Sequence, residues 1–416
     1  MEIEIGRGKK ARRAYGFDDI AIVPSRRTRD PDDVDISWKL GDYRFELPLL
    51  ASAMDGVVSP ATAGIVGRLG GLAVLNLEGI WTRYEDPESL LERIAGLPKD
   101  QATREMQQIY QEPVKPELIS QRIAEIKAEG VVVSASLTPQ RVRGYYELAL
   151  EAGLDILVIQ GTVVSAEHVS ETTEPLNLKE FIREVDVPVV VGGCASYSTG
   201  LHLMRTGAAG VLVGVGPGAA CTTRGVLGIG VPQATAIADV AAARSQHMLE
   251  TGEYVKVIAD GGMRTGGDVS KAIACGADAV MVGSPLARAY EAPGHGFHWG
   301  MATFHASLPR GARVQTVQNG SIEEILVGPA HENDGTFNLM GALRTSMATC
   351  GYKDIAEFNR AELMIAPALQ TEGKALQTAQ GVGMGARGSS RSAPTGPNGN
   401  GSGSSTDRTP AGVSAN

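Results

Sequence analysis

The sequence predicts an α/β protein built as a (β/α)8 TIM barrel, with a long lid or flap insertion after strand eight and a disordered C-terminal tail. Three observations predict it. Short apolar runs are continuous rather than alternating, as in parallel strands buried on both faces. Each run ends in a small or polar residue and is followed by a helix-spaced stretch. There are eight such pairs, and roughly 250 residues is the usual size of a closed barrel.

The strands are expected, in order, at "LPLLASA" (47–53), "GLAVLN" (71–76), "VVVSAS" (131–136) and "LDILVIQ" (154–160). The second four are "VPVVVGG" (187–193), "AAGVLVG" (208–214), "VKVIADGG" (255–262) and "DAVMVGS" (278–284). Segments such as "TPQRVRGYYELALEAG" and "SYSTGLHLMRTGAAG" supply helices between them. A doubly wound open sheet is the competing fold, and the even spacing favours closure. Two stretches exceed the minimal barrel. Residues 82–128 are charged and helix-prone, an enlarged second βα unit. Residues 286–345, rich in glycine, polar groups and aromatics, form the expected flap, since a connection that long usually serves an active site. Residues 1–372 read as one catalytic domain and 373–416 as the tail, whose composition from Gly381 onward is dominated by Gly, Ser, Pro and Asn.

The chain has 416 residues, 43% of them hydrophobic and 20% charged, with a net charge of −9. That balance supports a large core and argues against a general nucleic-acid binder, which needs a basic footprint. A small anion is still accommodated by backbone amides and helix ends. The four cysteines match neither zinc spacing nor a disulfide framework and read as reduced thiols. The N-terminus lacks the apolar stretch of a signal peptide, and no apolar run reaches the roughly 18 residues of a membrane span. A cytoplasmic location is expected.

Barrel sites are built from loops at the C-terminal strand ends, with phosphates favouring the loops after strands seven and eight. That rule selects Asp260-Gly261-Gly262 after strand seven and Gly283-Ser284 after strand eight. Glycine lets backbone amides approach an anion, and Asp260 suits ribose hydroxyls. Glycines at such turns also serve packing alone, but three loops on adjacent strands favour a nucleotide or sugar-phosphate pocket. The third loop is "GVGPGAACTTRGVLGIGVPQ" (214–233), too glycine-rich for a core position. It presents Cys221, with Arg224 near enough in sequence to favour a thiolate nucleophile. Thr222 and Thr223 either donate to a covalent intermediate or satisfy loop backbone, the latter being the better reading for Thr222. Cys194, Cys275 and Cys350 read as small buried hydrophobes. The pattern "GVGPGA" is not a dinucleotide fingerprint, because no helix opens on its glycines. His295, His298 and His305 lack metal-ligand spacing and read as lid or surface residues.

Long stretches then resemble one family. "GFDDIAIVPS", "LLASAMDGVVS", "GVGPGAACTTRGVLGIGVPQATAI", "IADGGMRTGGDVSKAIACGADAVMVGSPLA", "EAPG" and "MGALRTSMATCGY" are similar to segments of the IMP dehydrogenase/GMP reductase family, over roughly residues 14–355. Residues 82–128 are too short for that family's regulatory CBS pair, and the chain resembles its CBS-lacking, IMP-dehydrogenase-related bacterial subfamily. "GIGVPQ" and the phosphate half look like the dehydrogenase branch. The resemblance implies oxidation of inosine monophosphate (IMP) to xanthosine monophosphate with NAD, in guanine nucleotide biosynthesis, by a homotetramer or homo-octamer using K+.

The same resemblance implies residue roles. Cys221 would attack the purine and Thr223 assist. Ser52 and Met54 would lie under the nucleotide. Asp260, Gly261, Gly262, Gly283 and Ser284 would hold ribose and phosphate, and Gly300 and Met301 the base. Gln160 and Thr162 would face the cofactor. Carbonyls of Gly216, Gly218 and Cys221 would bind potassium. The chain departs from the family pattern at Ala219 (a phosphate-contacting serine), Gln160 (an aspartate on the cofactor ribose), Cys194 (an asparagine) and His298 (a lid tyrosine). The water-activating Arg-Tyr pair is absent as such; Arg310 is the candidate, with Arg313 nearby. The potassium-site glutamate has no match in the tail. GMP reductase, with Glu323 or Glu324 as its flap acid, and a catalytically weak purine-nucleotide-binding member are the alternatives.

Overall fold

A computed structural model describes residues 2–166, 175–300, 312–366 and 373–384. Eight parallel strands close into one barrel: β1 (Leu49–Ala51), β2 (Leu72–Asn76), β3 (Ser134–Leu137), β4 (Ile156–Gln160), β5 (Val189–Cys194), β6 (Gly210–Val213), β7 (Lys256–Asp260) and β8 (Ala279–Val282). Every run read from the sequence supplies one strand. Closure is made by β8 on β1, where Val280 pairs with Leu49 and Val282 with Ala51. The strands are almost wholly buried, which is why they read as continuous apolar runs rather than alternating ones.

Helices wrap the outside, and local chemistry starts them. Ser59 and Thr62 form a capping box for Pro60–Arg68, and Thr265 caps Gly266–Ala274 by accepting from the Asp268 amide. The enlarged second unit contains three helices, Pro87–Gly96, Lys99–Ile109 and Pro116–Ala128. The last of these packs on Pro60–Arg68 and Val142–Glu151 as the regular barrel helix.

The barrel floor is closed by a hairpin, Trp38–Leu40 with Tyr43–Phe45. Trp38 Nε1 donates to the Leu47 carbonyl at 2.9 Å, and Leu40 is fully buried beneath Gly210. Closing the floor leaves the C-terminal mouth as the open end. The N-terminal chain returns to that mouth: Lys271 Nζ donates to the Phe17 carbonyl at 2.8 Å, and Ile20–Ile22 pairs with Leu363–Ile365.

Two expected boundaries shift. The flap stretch 286–345 ends early, because Leu339–Thr349 is the eighth barrel helix, packed on Gly266–Ala274 with Asn338 as its cap. Within the flap stretch, Phe297–His298 pairs with Val314–Gln315 and Ile322–Leu326 is helical. The segment expected to be disordered from residue 373 opens with a helix, Lys374–Gln380, stopped by Gly381 in the left-handed conformation. Ala, Leu, Gln and Lys favour helix, and the glycine-rich composition begins only where that helix stops. The rest of the expected tail, 385–416, lies outside the described residues. No helix among the described residues is long and apolar enough to cross a membrane.

Candidate active site

A cavity of about 880 Å³ occupies the C-terminal mouth. It is large for a single small ligand, near the top of the usual ~300–1,000 Å³ range. Fourteen of the residues picked from sequence line it together: Ser52, Met54, Gln160, Thr162, Gly216, Gly218, Cys221, Thr223, Asp260, Gly261, Gly262, Gly283, Ser284 and Gly300. Met301 and Arg310 lie outside the described residues. Arg313 is described, and it does not line the cavity. Its guanidinium donates to the carbonyls of Ile94 and Leu97, the latter at 2.7 Å, at the end of helix Pro87–Gly96.

The Cys221 thiol opens onto the cavity. Cys221 is only half-buried, and its Sγ is 3.1 Å from Thr223 Oγ1, whose own side chain is buried. The turn is closed by the Cys221 amide donating to the Gly218 carbonyl at 3.0 Å. The other three cysteines differ as expected: Cys194 and Cys275 are buried, and burial pushes both thiols up to about 12. Burial likewise raises the Cys350 thiol. Arg224 is not aimed at the sulfur. Its Nη2 donates to the Val231 carbonyl at 2.9 Å, and its stem packs against Gly216 and Gly230, stapling the loop on itself. The sequence placed Arg224 near Cys221, but the glycines let the loop fold around it instead.

The glycine loops crowd one another, which is why side chains are excluded. Gly261 and Gly262 both take left-handed φ (+82° and +84°) and face Pro217 and Gly218 of the cysteine loop. A Cβ on Gly283 would lie 2.5 Å from Met54 Sδ. Gln233 bolts the loops together, donating to the carbonyls of Val213 at 2.6 Å and Asp260 at 3.1 Å.

Asp260 opens to the cavity on one side and is otherwise enclosed by protein. Burial pushes its carboxyl up to about 7, with the Gln160 hydrogen bond pulling the other way. Gln160 Nε2 donates to Asp260 Oδ2 at 3.1 Å, while Gln160 Oε1 is buried without a partner among the described residues. The residue expected at the cofactor thus also engages the residue expected at the ribose.

His298 corrects another expectation. It is not a surface group: within the flap stretch its ring is buried at the cavity and its Nε2 is 2.7 Å from Ser284 Oγ. His295 is exposed, and His305 lies outside the described residues. Among the described residues no cluster of His, Cys, Asp and Glu could hold a metal ion. The Gly216, Gly218 and Cys221 carbonyls expected at potassium are a different donor type, neutral oxygens all from one loop. That of Gly218 is shared with the Cys221 amide.

Sequence reasoning missed several lining residues. Gly16 and Phe17 reach the cavity from the N-terminal segment, and Thr138, Pro139 and Gln140 extend it past β3. A second buried network lies beside it. Tyr110 donates to Asp55 and accepts from Trp299 Nε1 at 2.6 Å. Asp55 follows Met54 and Trp299 precedes Gly300, so this network braces two cavity residues from the β2–β3 insert. Burial pushes Asp55 up to about 6. Neither Glu323, which is exposed, nor Glu324, which caps its own helix by accepting from the Ser321 amide, lines the cavity.

Fold and site together define a (β/α)8-barrel protein whose C-terminal cleft carries a glycine-framed thiol. A model of the IMP dehydrogenase/GMP reductase domain matches residues 14–375, and the chain belongs to that family of oxidoreductases. It is 49% identical, over 87% of its length and 99% of the relative's, to an uncharacterized oxidoreductase of Mycobacterium tuberculosis. It is 27% identical to the inosine-5'-monophosphate dehydrogenase of Methanocaldococcus jannaschii, over 87% of this chain and 95% of that one. A crystal structure of an IMP dehydrogenase/GMP reductase-like protein from Corynebacterium glutamicum superposes with a TM-score of 0.83 at 45% identity, covering 88% of this chain and 97% of that chain.

Proposed function

We propose that the protein oxidises IMP to xanthosine monophosphate with NAD through a covalent intermediate on Cys221. The observation that carries this reading is the half-buried Cys221 sulfur, 3.1 Å from Thr223 Oγ1, in the same cavity as the Asp260 and Gly283-Ser284 loops.

Cys221 sulfur bonds to C2 of the hypoxanthine ring, opening the C2–N3 double bond. The C2–H bond then breaks with its electron pair, and the C2–N3 double bond re-forms as a thioimidate. Held beside Gln160 and Thr162, a nicotinamide would supply the hydride acceptor. Water adds to C2, the sulfur leaves, and one proton is released, giving the 2-oxo product. Thr223, beside the sulfur, is positioned to relay a proton during both addition and hydrolysis. Arg310 is the proposed water-activating residue. Asp260 accepts from the ribose hydroxyls, and the amides of Gly261, Gly262 and Gly283 with Ser284 hold the phosphate. Ser52, Met54, Gly300 and Met301 frame the base. The cavity reaches past Gln160 and Thr162 to Thr138 and Gln140, which supports a cofactor beside the nucleotide in this reading. The loop carbonyls of Gly216, Gly218 and Cys221 would hold potassium, fixing the loop that carries the nucleophile. A homotetramer or homo-octamer in the cytoplasm is part of this reading.

The second reading, reduction of GMP with NADPH, lacks its acid, since Glu323 and Glu324 lie outside the cavity. The test is turnover. IMP with NAD should yield reduced nicotinamide, dependent on Cys221 and stimulated by potassium. Consumption of NADPH with GMP selects the reductase, and IMP binding with neither turnover leaves a nucleotide-binding protein.

A further inference from the structure

Ser284 follows β8, and His298 lies on the short strand Phe297–His298; their Oγ and Nε2 atoms are 2.7 Å apart. His298 borders the same cavity with its side chain at 0% exposure, and its Nδ1 has no partner among the described residues. Ser284 lines the cavity. Burial pushes the His298 ring down to about 4, so it is neutral at physiological pH. A neutral imidazole carries one N–H, and its location decides what the serine offers.

With the proton on Nδ1, a buried donor is orphaned and Ser284 must spend its own proton on Nε2. The hydroxyl then turns only lone pairs toward the cavity. With the proton on Nε2, the ring donates to Ser284 Oγ, and the serine proton is free for a ligand. An orphaned buried N–H is rarer in proteins than an under-used acceptor. We propose that His298 is a positioning residue: as the Nε2–H tautomer it donates to Ser284 and aims the serine hydroxyl proton at a phosphate monoester in the cavity. This rests on the nucleotide reading above. It also gives a reason for the pairing: Ala219 offers no hydroxyl, so Ser284 has to act as a committed donor. Donor bonds to an anion are the stronger kind.

Two measurements test it. Nitrogen-15 NMR of the ligand-free protein should show His298 protonated at Nε2 and bare at Nδ1. Calorimetric titration should show His298→Phe weakening IMP by roughly 10-fold, the loss of one hydrogen bond to a charged group, with inosine binding unchanged. His298→Gln, which keeps a donor, should restore most of the loss and guards against a misfolded phenylalanine variant. The double variant with Ser284→Ala should bind IMP no more weakly than Ser284→Ala alone. A ring protonated at Nδ1, equal losses for IMP and inosine, or additive losses in the double variant would each overturn the inference. If the wild type binds no IMP, the substrate reading fails on its own; the tautomer then still decides this inference, with inorganic phosphate as the titrant.

Discussion

Gln160 Nε2 donates to Asp260 Oδ2 at 3.1 Å, joining the end of β4 to the end of β7 across the mouth of the barrel. The two residues are 100 positions apart in sequence. One partner was expected at a cofactor and the other at a ribose, and they share a hydrogen bond.

The burial of Asp260 makes stability depend on pH. Burial raises the Asp260 carboxyl from 3.8 to about 7, so the fold holds this proton more tightly than the unfolded chain does. Its contribution to stability is fully present below the unfolded value and is lost as pH rises through the folded one. Asp55, raised to about 6, acts in the same direction. Thermal melts of Asp260→Asn and wild type should coincide near pH 4, about the unfolded value. Between about pH 4 and about 7 the variant should gain progressively on the wild type, levelling off above that. A gap that does not change with pH would contradict this.

Removing the Gln160 donor should push Asp260 higher still, because that hydrogen bond is what pulls the carboxyl down. In Gln160→Leu the acid limb of substrate binding should move to higher pH, read from the pH profile of kcat/KM.

Glycine positions separate into structural and functional ones. A Cβ on Gly214 would lie 2.0 Å from the Asp260 carbonyl oxygen, which is rigid backbone. Gly214→Ala should therefore cost about 3 kcal/mol or more in denaturant unfolding. A Cβ on Gly283 meets the flexible Met54 sulfur instead. Gly283→Ala should fold normally yet bind nucleotide on the order of tenfold more weakly, since the methyl displaces Met54 within the cavity.

Asp278 anchors the start of β8 away from the mouth. It accepts from buried Arg244 at 2.8 Å, from Tyr254 at 2.8 Å and from the Val257 amide at 2.8 Å. Asp278→Ala strands a buried guanidinium and should lose roughly 3–5 kcal/mol of stability. The KM of the folded fraction should be unchanged.

The fold was legible because its signals are local. Each barrel strand is a continuous apolar run, and the extra helices of 82–128 announce themselves through charge and helical spacing. Cys221 stood out because only a loop tolerates so many glycines around one thiol. Pairings were not legible. Ser284 meets His298 only because the Phe297–His298 strand folds back over the mouth. Tyr110 meets Asp55 and Trp299 across 55 and 189 positions. Arg224 shows the converse: adjacency in sequence to Cys221 did not make it the sulfur's partner, because a glycine loop can turn a side chain onto itself.

The central claim, that Cys221 bonds covalently to the purine, has one direct measurement. Protein incubated with IMP and NAD, quenched in acid during turnover and digested, should carry the purine nucleotide on the Cys221 peptide by mass spectrometry. Cys221→Ala should carry none. An unmodified Cys221 peptide, recovered while xanthosine monophosphate accumulates or while IMP is bound without reaction, would contradict the account.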